Sequence, residues 1–465
     1  MISKLLVVVL IASLPIIPAL VFWQQRPLWQ YNTSGTANAV AISSDGSVVA
    51  VGVQTGTKGG EVLFFNRAGS LLWSRTVDRA ISSISISDNA SFIVASGFQL
   101  IGSAGIFYEN GAVYYFSRDG TQLWNYTTSP DVYSRDFPPP IFGSHISNDG
   151  SRIIAQTPFS VFCLDQRGMM LWNYNGTGTN LIHVATSSNE SRVAVAGAQL
   201  RLLNGQGRIL WNSTSITNLV QSLVITPDAK YVAVGTAIDG NHGTLYLFNN
   251  TGSLLWSLAE DSNPSSIAFS RDESRIVFGT NYHIVSYTIQ GDQVWSFSAP
   301  PAAANLDGSY VLAGLWSDWT QSILVIDGQG QVVWGKPAGE IHGVALSADG
   351  SNAVVAAGPP DTGPFSFNSA AVYFLPSPRS LVADTGSLYS TLYFIPTIDL
   401  IPAASLFLII PVAGLVLIIV KWWLKTRHQK NEPPTGEMPS PTPDMNEATS
   451  RHSDGAIQVY YSVVL

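Results

Sequence analysis

Seven times along this chain a glycine stands four residues before a tryptophan, at Gly69/Trp73, Gly120/Trp124, Gly168/Trp172, Gly207/Trp211, Gly252/Trp256, Gly291/Trp295 and Gly330/Trp334. Successive tryptophans are 39 to 51 residues apart, the length of one repeated supersecondary unit. Each glycine follows an apolar run such as Val62-Leu63-Phe64-Phe65 and precedes a short run ending in Trp. That pattern predicts a hairpin with Gly at the positive-φ position. Upstream of each lies another pair of apolar runs around a polar turn, as at Asp45-Gly46, Asn89-Ala90, Asp149-Gly150, Asn189-Glu190, Asp228-Ala229 and Asp272-Glu273. Asp and Asn in such turns bond their own backbone. The repeating unit is therefore two hairpins, or four strands, with the tryptophan on the outermost strand.

Eight upstream hairpins are present, the last two at Asp307-Gly308 and Asp349-Gly350, but the eighth unit runs from a third strand at residues 371–375 into Pro376-Ser377-Pro378 without a tryptophan. An unassigned Trp29 stands at the start of the repeat region. If its strand completes the last unit, every unit has four strands and one Trp, and closure removes the free sheet edges of an open array. The expected fold is all-β, an eight-bladed β-propeller over residues 24–380 closed by an N-terminal strand. With 12% charged residues and 46% hydrophobic, against a usual charged share of about 25%, the composition excludes a disordered chain.

Two apolar segments set the expected topology. Residues 5–22 carry no charge and follow Lys4, as in a signal peptide or signal anchor (residues 1–23); whether it is cleaved is left open. Residues 400–420 are uninterrupted apolar and small residues, enough to cross a bilayer core of roughly 30 Å. Lys421, Lys425, Arg427 and Lys430 follow directly, with Trp422 and Trp423 at the boundary and Asp399 before it. This orientation puts the positive end in the cytoplasm. A juxtamembrane linker (381–398), a transmembrane helix (399–423) and a disordered cytoplasmic tail (424–465) are expected, with the propeller extracytoplasmic at the cell membrane. Seven Asn-x-Ser/Thr sequons, at Asn32, Asn89, Asn125, Asn175, Asn189, Asn212 and Asn249, are roughly twice the chance number and favour an exported glycoprotein.

The strand, Asp-Gly turn, strand, then Gly-x-x-x-Trp pattern resembles the pyrroloquinoline-quinone-type (PQQ-like) repeats and, more loosely, WD-repeat propellers, over about residues 27 to 378. Such propellers host enzymes, assembly factors and binding platforms alike. The resemblance to quinone-dependent dehydrogenases implies a cofactor over calcium against a disulfide of neighbouring cysteines. Here Cys163 is the single cysteine, and no acidic cluster maps onto the calcium ligands. The resemblance thus implies the scaffold and no cofactor, while Cys163 itself reads as a core residue.

A net charge of −8 supplies no basic footprint for nucleic acid. Loop length varies on the face opposite the hairpin turns, at residues 54–60, 98–111, 129–142 and 358–370, in blades 8, 1, 2 and 3. Phe98, Phe107, Tyr108, Tyr133, Phe137, Phe142, Phe365 and Phe367 lie there, with three prolines from Pro138. Aromatics on proline-stiffened loops suit recognition of a protein or glycan; the alternative is that they fold back to cap the core. His145, His183 and His342 fall near inner strands at different registers, and Asp239, Asn241 and His242 read as a turn. No metal site is assigned, and no catalytic motif occurs. The expected function is a non-catalytic, membrane-tethered binding platform. The alternatives are a quinoprotein- or lyase-like enzyme with a channel-centred site, and a sensor signalling through its tail.

Overall fold

The computed structural model describes residues 27–376, apart from 102–106, 131–136, 177–182, 198, 217, 239–241, 271, 281, 298–300, 307–309, 318–319, 339–340, 348–351 and 359–369. The expected signal or anchor, linker, transmembrane helix and tail lie outside the described residues. Among the described residues no helix is long and apolar enough to cross a membrane.

The fold is all-β, built of four-stranded antiparallel sheets arranged as in a propeller. Sheet 1 comprises Thr36–Ile42, Val48–Gln54, Gly60–Asn66 and Leu71–Val77, from inner to outer strand, and sheets 2 to 7 repeat that order along the chain. Sheet 8 differs. Its inner three strands are Ile341–Leu346, Asn352–Ala357 and Ala371–Pro376, and its outer strand is Trp29–Asn32, paired with Trp29 opposite Phe374 and Asn32 opposite Ala371. Apolar clusters lie between consecutive sheets, and one of them joins the last sheet to the first through Val40, Val51, Phe65, Val354 and Phe374.

The turn inside each first hairpin is held by two side chains. In sheet 1, Asp45 Oδ1 accepts from the Ser43 hydroxyl at 2.6 Å and from Ser47 N–H at 2.9 Å, while Ser43 Oγ accepts from Val48 N–H at 3.1 Å. Ser147/Asp149 and Ser270/Asp272 repeat this, and the Ser bond holds each carboxyl below the usual carboxylate range. The next residue is left-handed, hence Gly46 and Gly150, but also Ala90, Glu190, Ala229 and Glu273.

The Gly-x-x-x-Trp spacing has a second cause beyond the turn. Register shifts in the outer strand pair, as between Phe64 and Phe65 or Tyr115 and Phe116, leave the residue before each tryptophan in a β-bulge. The bulge turns Leu72 and Leu123 outward and aims the indole at the next sheet, as bulges re-aim side chains. There it meets the turn glycine of the following repeat. The Trp73 indole lies on Gly120, Trp124 on Gly168, Trp172 on Gly207, Trp211 on Gly252, Trp256 on Gly291 and Trp295 on Gly330. Most of these indoles also donate to the carbonyl two residues before that glycine, as Trp73 Nε1 does to Arg118 O at 2.9 Å. Trp29 performs this clasp across the closure, on Gly69 and to Arg67 O at 3.0 Å.

Trp334 keeps the backbone place that the repeat predicts. It stands on the outer strand of sheet 7, Val332–Ala338, opposite Val325 and beside the usual bulge at Val325/Ile326. The sheet that follows is sheet 8, whose third and outer strands come from opposite ends of the repeat region. No hairpin turn joins them in the sheet that follows Trp334. Its backbone keeps the repeat pattern, whereas its side chain lies outside the described residues.

A Cβ on Gly120 would lie 2.7 Å from the Trp73 ring, at φ +83°. Gly120→Ala is therefore expected to cost about 1–3 kcal/mol. Combined with Trp73→Ala, the two losses should be clearly less than additive in denaturant titrations, because the second change removes the clash; strict additivity would contradict the clasp.

Candidate functional site

The loop-rich face of sheets 1 to 3 is a braced platform. The expected loop at 98–111 is largely strand, a correction to the sequence reading. Phe92–Ile101 and Phe107–Ser117 pair as far as Ile101 opposite Phe107, past a bulge at Gly97/Gln99 that restores the ladder. Phe98 is only 4% exposed and packs edge-on against Tyr108 and Phe142 at centroid distances of 4.9 and 5.6 Å. Tyr108 and Phe142 complete the trio at 5.9 Å.

The prolines lie along this extension. Asn110 N–H donates to Pro138 O at 2.9 Å and Gly111 N–H to Pro139 O at 3.0 Å. The Thr128 hydroxyl holds Pro139 O from the other side at 2.7 Å. A side chain at Gly111 would collide with Ile141 N and Pro139 O, so glycine is required by close approach. Beneath, Arg79 donates to Asn110 O and pairs with Asp78 at 2.6 Å, and the Tyr114 hydroxyl donates to Asp78. Burial alone would raise the Asp78 pKa, but Tyr114 and Arg79 hold it below the usual range; the Tyr114 phenol is raised by burial and by that carboxylate.

Phe137 is 57% exposed at the start of the proline run, while Tyr108 and Phe142 are half-buried. Tyr133, Phe365 and Phe367 lie outside the described residues, as does the side chain of Phe107. Among the described candidates the structure thus brings Phe98, Tyr108 and Phe142 together as packing and leaves Phe137 exposed.

The inner-strand histidines do not form a described cluster, and among the described residues no group of three His, Cys, Asp or Glu could hold a metal. His342 sits in the bulge between Ile341 and Gly343, whereas His145 and His183 pair regularly. Cys163 is buried, its thiol pushed up to about 12 chiefly by desolvation.

Glu190 escaped the sequence reading as a site. It is 1% exposed, and neither carboxylate oxygen has a hydrogen-bond partner. Desolvation pushes its pKa well up against the pull of Arg152, at the junction of sheets 3 and 4. The available signal was a glutamate at a left-handed turn position, shared only with Glu273 among the described turns, where Gly46, Gly150, Ala90 and Ala229 stand in other repeats.

The sequence over residues 21–214 matches the family model described as outer membrane protein assembly factor BamB. No curated protein matches it significantly. Among solved structures, the C-terminal WD40 domain of Sif2 matches with a TM-score of 0.57 at 11% identity, covering 76% of this chain and 98% of that one. Chaetomium thermophilum Sqt1 bound to the N-terminus of the ribosomal protein L10 matches with 0.57 at 14% identity, over 74% and 97%. Saccharomyces cerevisiae Sqt1 matches with 0.54 at 13%, over 76% and 99%. At such identities the likeness is one of fold. The chain is a β-propeller of PQQ-like, WD-like repeats.

Desolvation lowers the pKa of His145, His183 and His342 from the ordinary 6.5 to about 4. Between those values the unfolded chain binds protons that the folded chain refuses, so stability falls as pH drops from 6.5 towards 4. Glu190 acts oppositely, its contribution being lost as pH rises. Replacing all three histidines with Gln is expected to flatten the melting temperature profile over that window; an unchanged slope would sink this assignment.

Proposed function

We propose that this protein is an eight-bladed propeller, tethered outside the cell membrane, which binds a protein or surface polymer without catalysis through the loop-rich face of blades 8, 1, 2 and 3. The observation that carries the reading is Phe137. A large exposed aromatic on a segment held by backbone hydrogen bonds loses little freedom on binding. The match to an assembly-factor family model supports a protein partner, and the Sqt1 complex is a propeller of similar fold bound to a peptide segment. Closure through Trp29 and the apolar cluster between first and last sheets support the blade number. The tether rests on residues 400–420 and the basic residues after them.

Full-length protein from native membranes, used as bait, tests the face. Phe137→Ala is expected to reduce capture of a wild-type partner at least tenfold without moving the melting temperature, while Phe98→Ala should destabilise by about 2–4 kcal/mol. Capture unaffected by Phe137→Ala would move the binding face elsewhere. Deleting residues 24–33 should weaken the whole ring in one cooperative transition, and unchanged unfolding would refute the closed eight-blade reading.

A further inference from the structure

Outer strands expose one row of unpaired backbone groups, and natural proteins guard such edges with charge or proline. Here the guarding is divided. The outer strand of sheet 1 carries Arg75 and that of sheet 7 Lys336 and Pro337, whereas that of sheet 5 ends on Glu260, whose side chain is turned in against His283. Those of sheets 2, 3, 4 and 8 read QLWNYT, MLWNYN, ILWNS and WQYN, without charge or proline. Each of these four carries a sequon asparagine: Asn125, Asn175, Asn212 and Asn32. Sheet 6, QVWSF, has neither, and a charge stands just before the strand in sheet 6 (Asp292) and in sheet 4 (Arg208) alike.

These four asparagines are exposed and alternate with inward aromatics, as Asn125 does with Trp124 and Tyr126. Asn32 and Asn175 accept hydrogen bonds through Oδ1, from Gln30 and Asn173, leaving Nδ2 to solvent-facing chemistry. The other three sequons have a structural explanation. Asn89 and Asn189 occupy the turn position of Asp45, Asp149, Asp228 and Asp272, each accepting from the backbone two residues on. Asn249 holds its turn as Asn66, Asp165, Asn204 and Asp327 do. Asparagine is a poor strand former, and nothing in the ladder requires it at the four edge positions.

We infer that Asn32, Asn125, Asn175 and Asn212 carry N-linked oligosaccharide, which guards the four uncharged edges. This rests on the extracytoplasmic placement proposed above. A membrane oligosaccharyltransferase would supply a polyprenyl-phosphate-linked oligosaccharide. The Asn Nδ2 attacks the anomeric carbon, a C–N bond forms, the anomeric C–O bond to phosphate breaks, the lipid phosphate leaves, and the amide gives up one proton. No redox change occurs.

The test is glycopeptide mass spectrometry of the full-length protein from its native cells, with impermeant amine labelling of exposed Lys58 in intact cells. Sugar at the four edge asparagines, lost at Asn125 in Thr127→Ala and kept in Thr127→Ser, is the expected result. Labelled Lys58 with bare edge asparagines would overturn this inference and leave the binding reading intact. Unlabelled Lys58 in intact cells, labelled after lysis, would overturn the placement and this inference with it. The Asn→Gln variant at all four positions should melt as wild type yet elute as larger species; monomeric elution would remove the guarding role.

Discussion

One interaction governs the ring: an indole from one repeat seated on the turn glycine of the next. It ties three local features into one device. The bulge before the tryptophan turns the ring inward, the positive-φ glycine clears space for it, and the carbonyl two residues earlier receives its N–H. None is useful without the others, since a bulged indole without a bare turn has nowhere to pack. The device has one sense around the ring, each outer strand reaching to the turn of the following repeat. An isolated repeat leaves both halves unfilled, so stability is collective.

The four-strand unit and its closing strand were legible because hairpin chemistry and apolar alternation are local. The pairing of Trp29–Asn32 with Ala371–Pro376 followed from counting strands, with no local signal required. The clasp was not legible, because the motif Gly-x-x-x-Trp invites a reading within one hairpin, whereas each Gly and Trp in it serve different neighbours. For the same reason Gly330-x-x-x-Trp334 reads as one more copy, although the repeat after it lacks the turn that would complete the clasp. Nor was the partner of each turn Asp visible: the Ser two residues before it is common enough in any chain to pass unnoticed until Ser43, Ser147 and Ser270 stand in the same place.

The candidate site shows a further limit. Phe98, Tyr108 and Phe142 share the aromatic character of Phe137, and composition cannot separate a ring that braces from one that projects. The separation comes from strand extension past Gly97, which carries Phe98 into the trio, and from the prolines, which cannot join a ladder as donors but offer carbonyls to Asn110 and Gly111. Rigidity there is made from backbone atoms that no side-chain pattern reports.

Sheet 8 is assembled from strands that enter it at opposite ends of the repeat region. Trp29 and Phe374 face each other at the end of the sheet where both chain directions depart. A mechanical load between those departing ends would peel the four residue pairs singly, like a zipper, instead of shearing them together. Tension between those ends thus acts first on the seam that completes the ring.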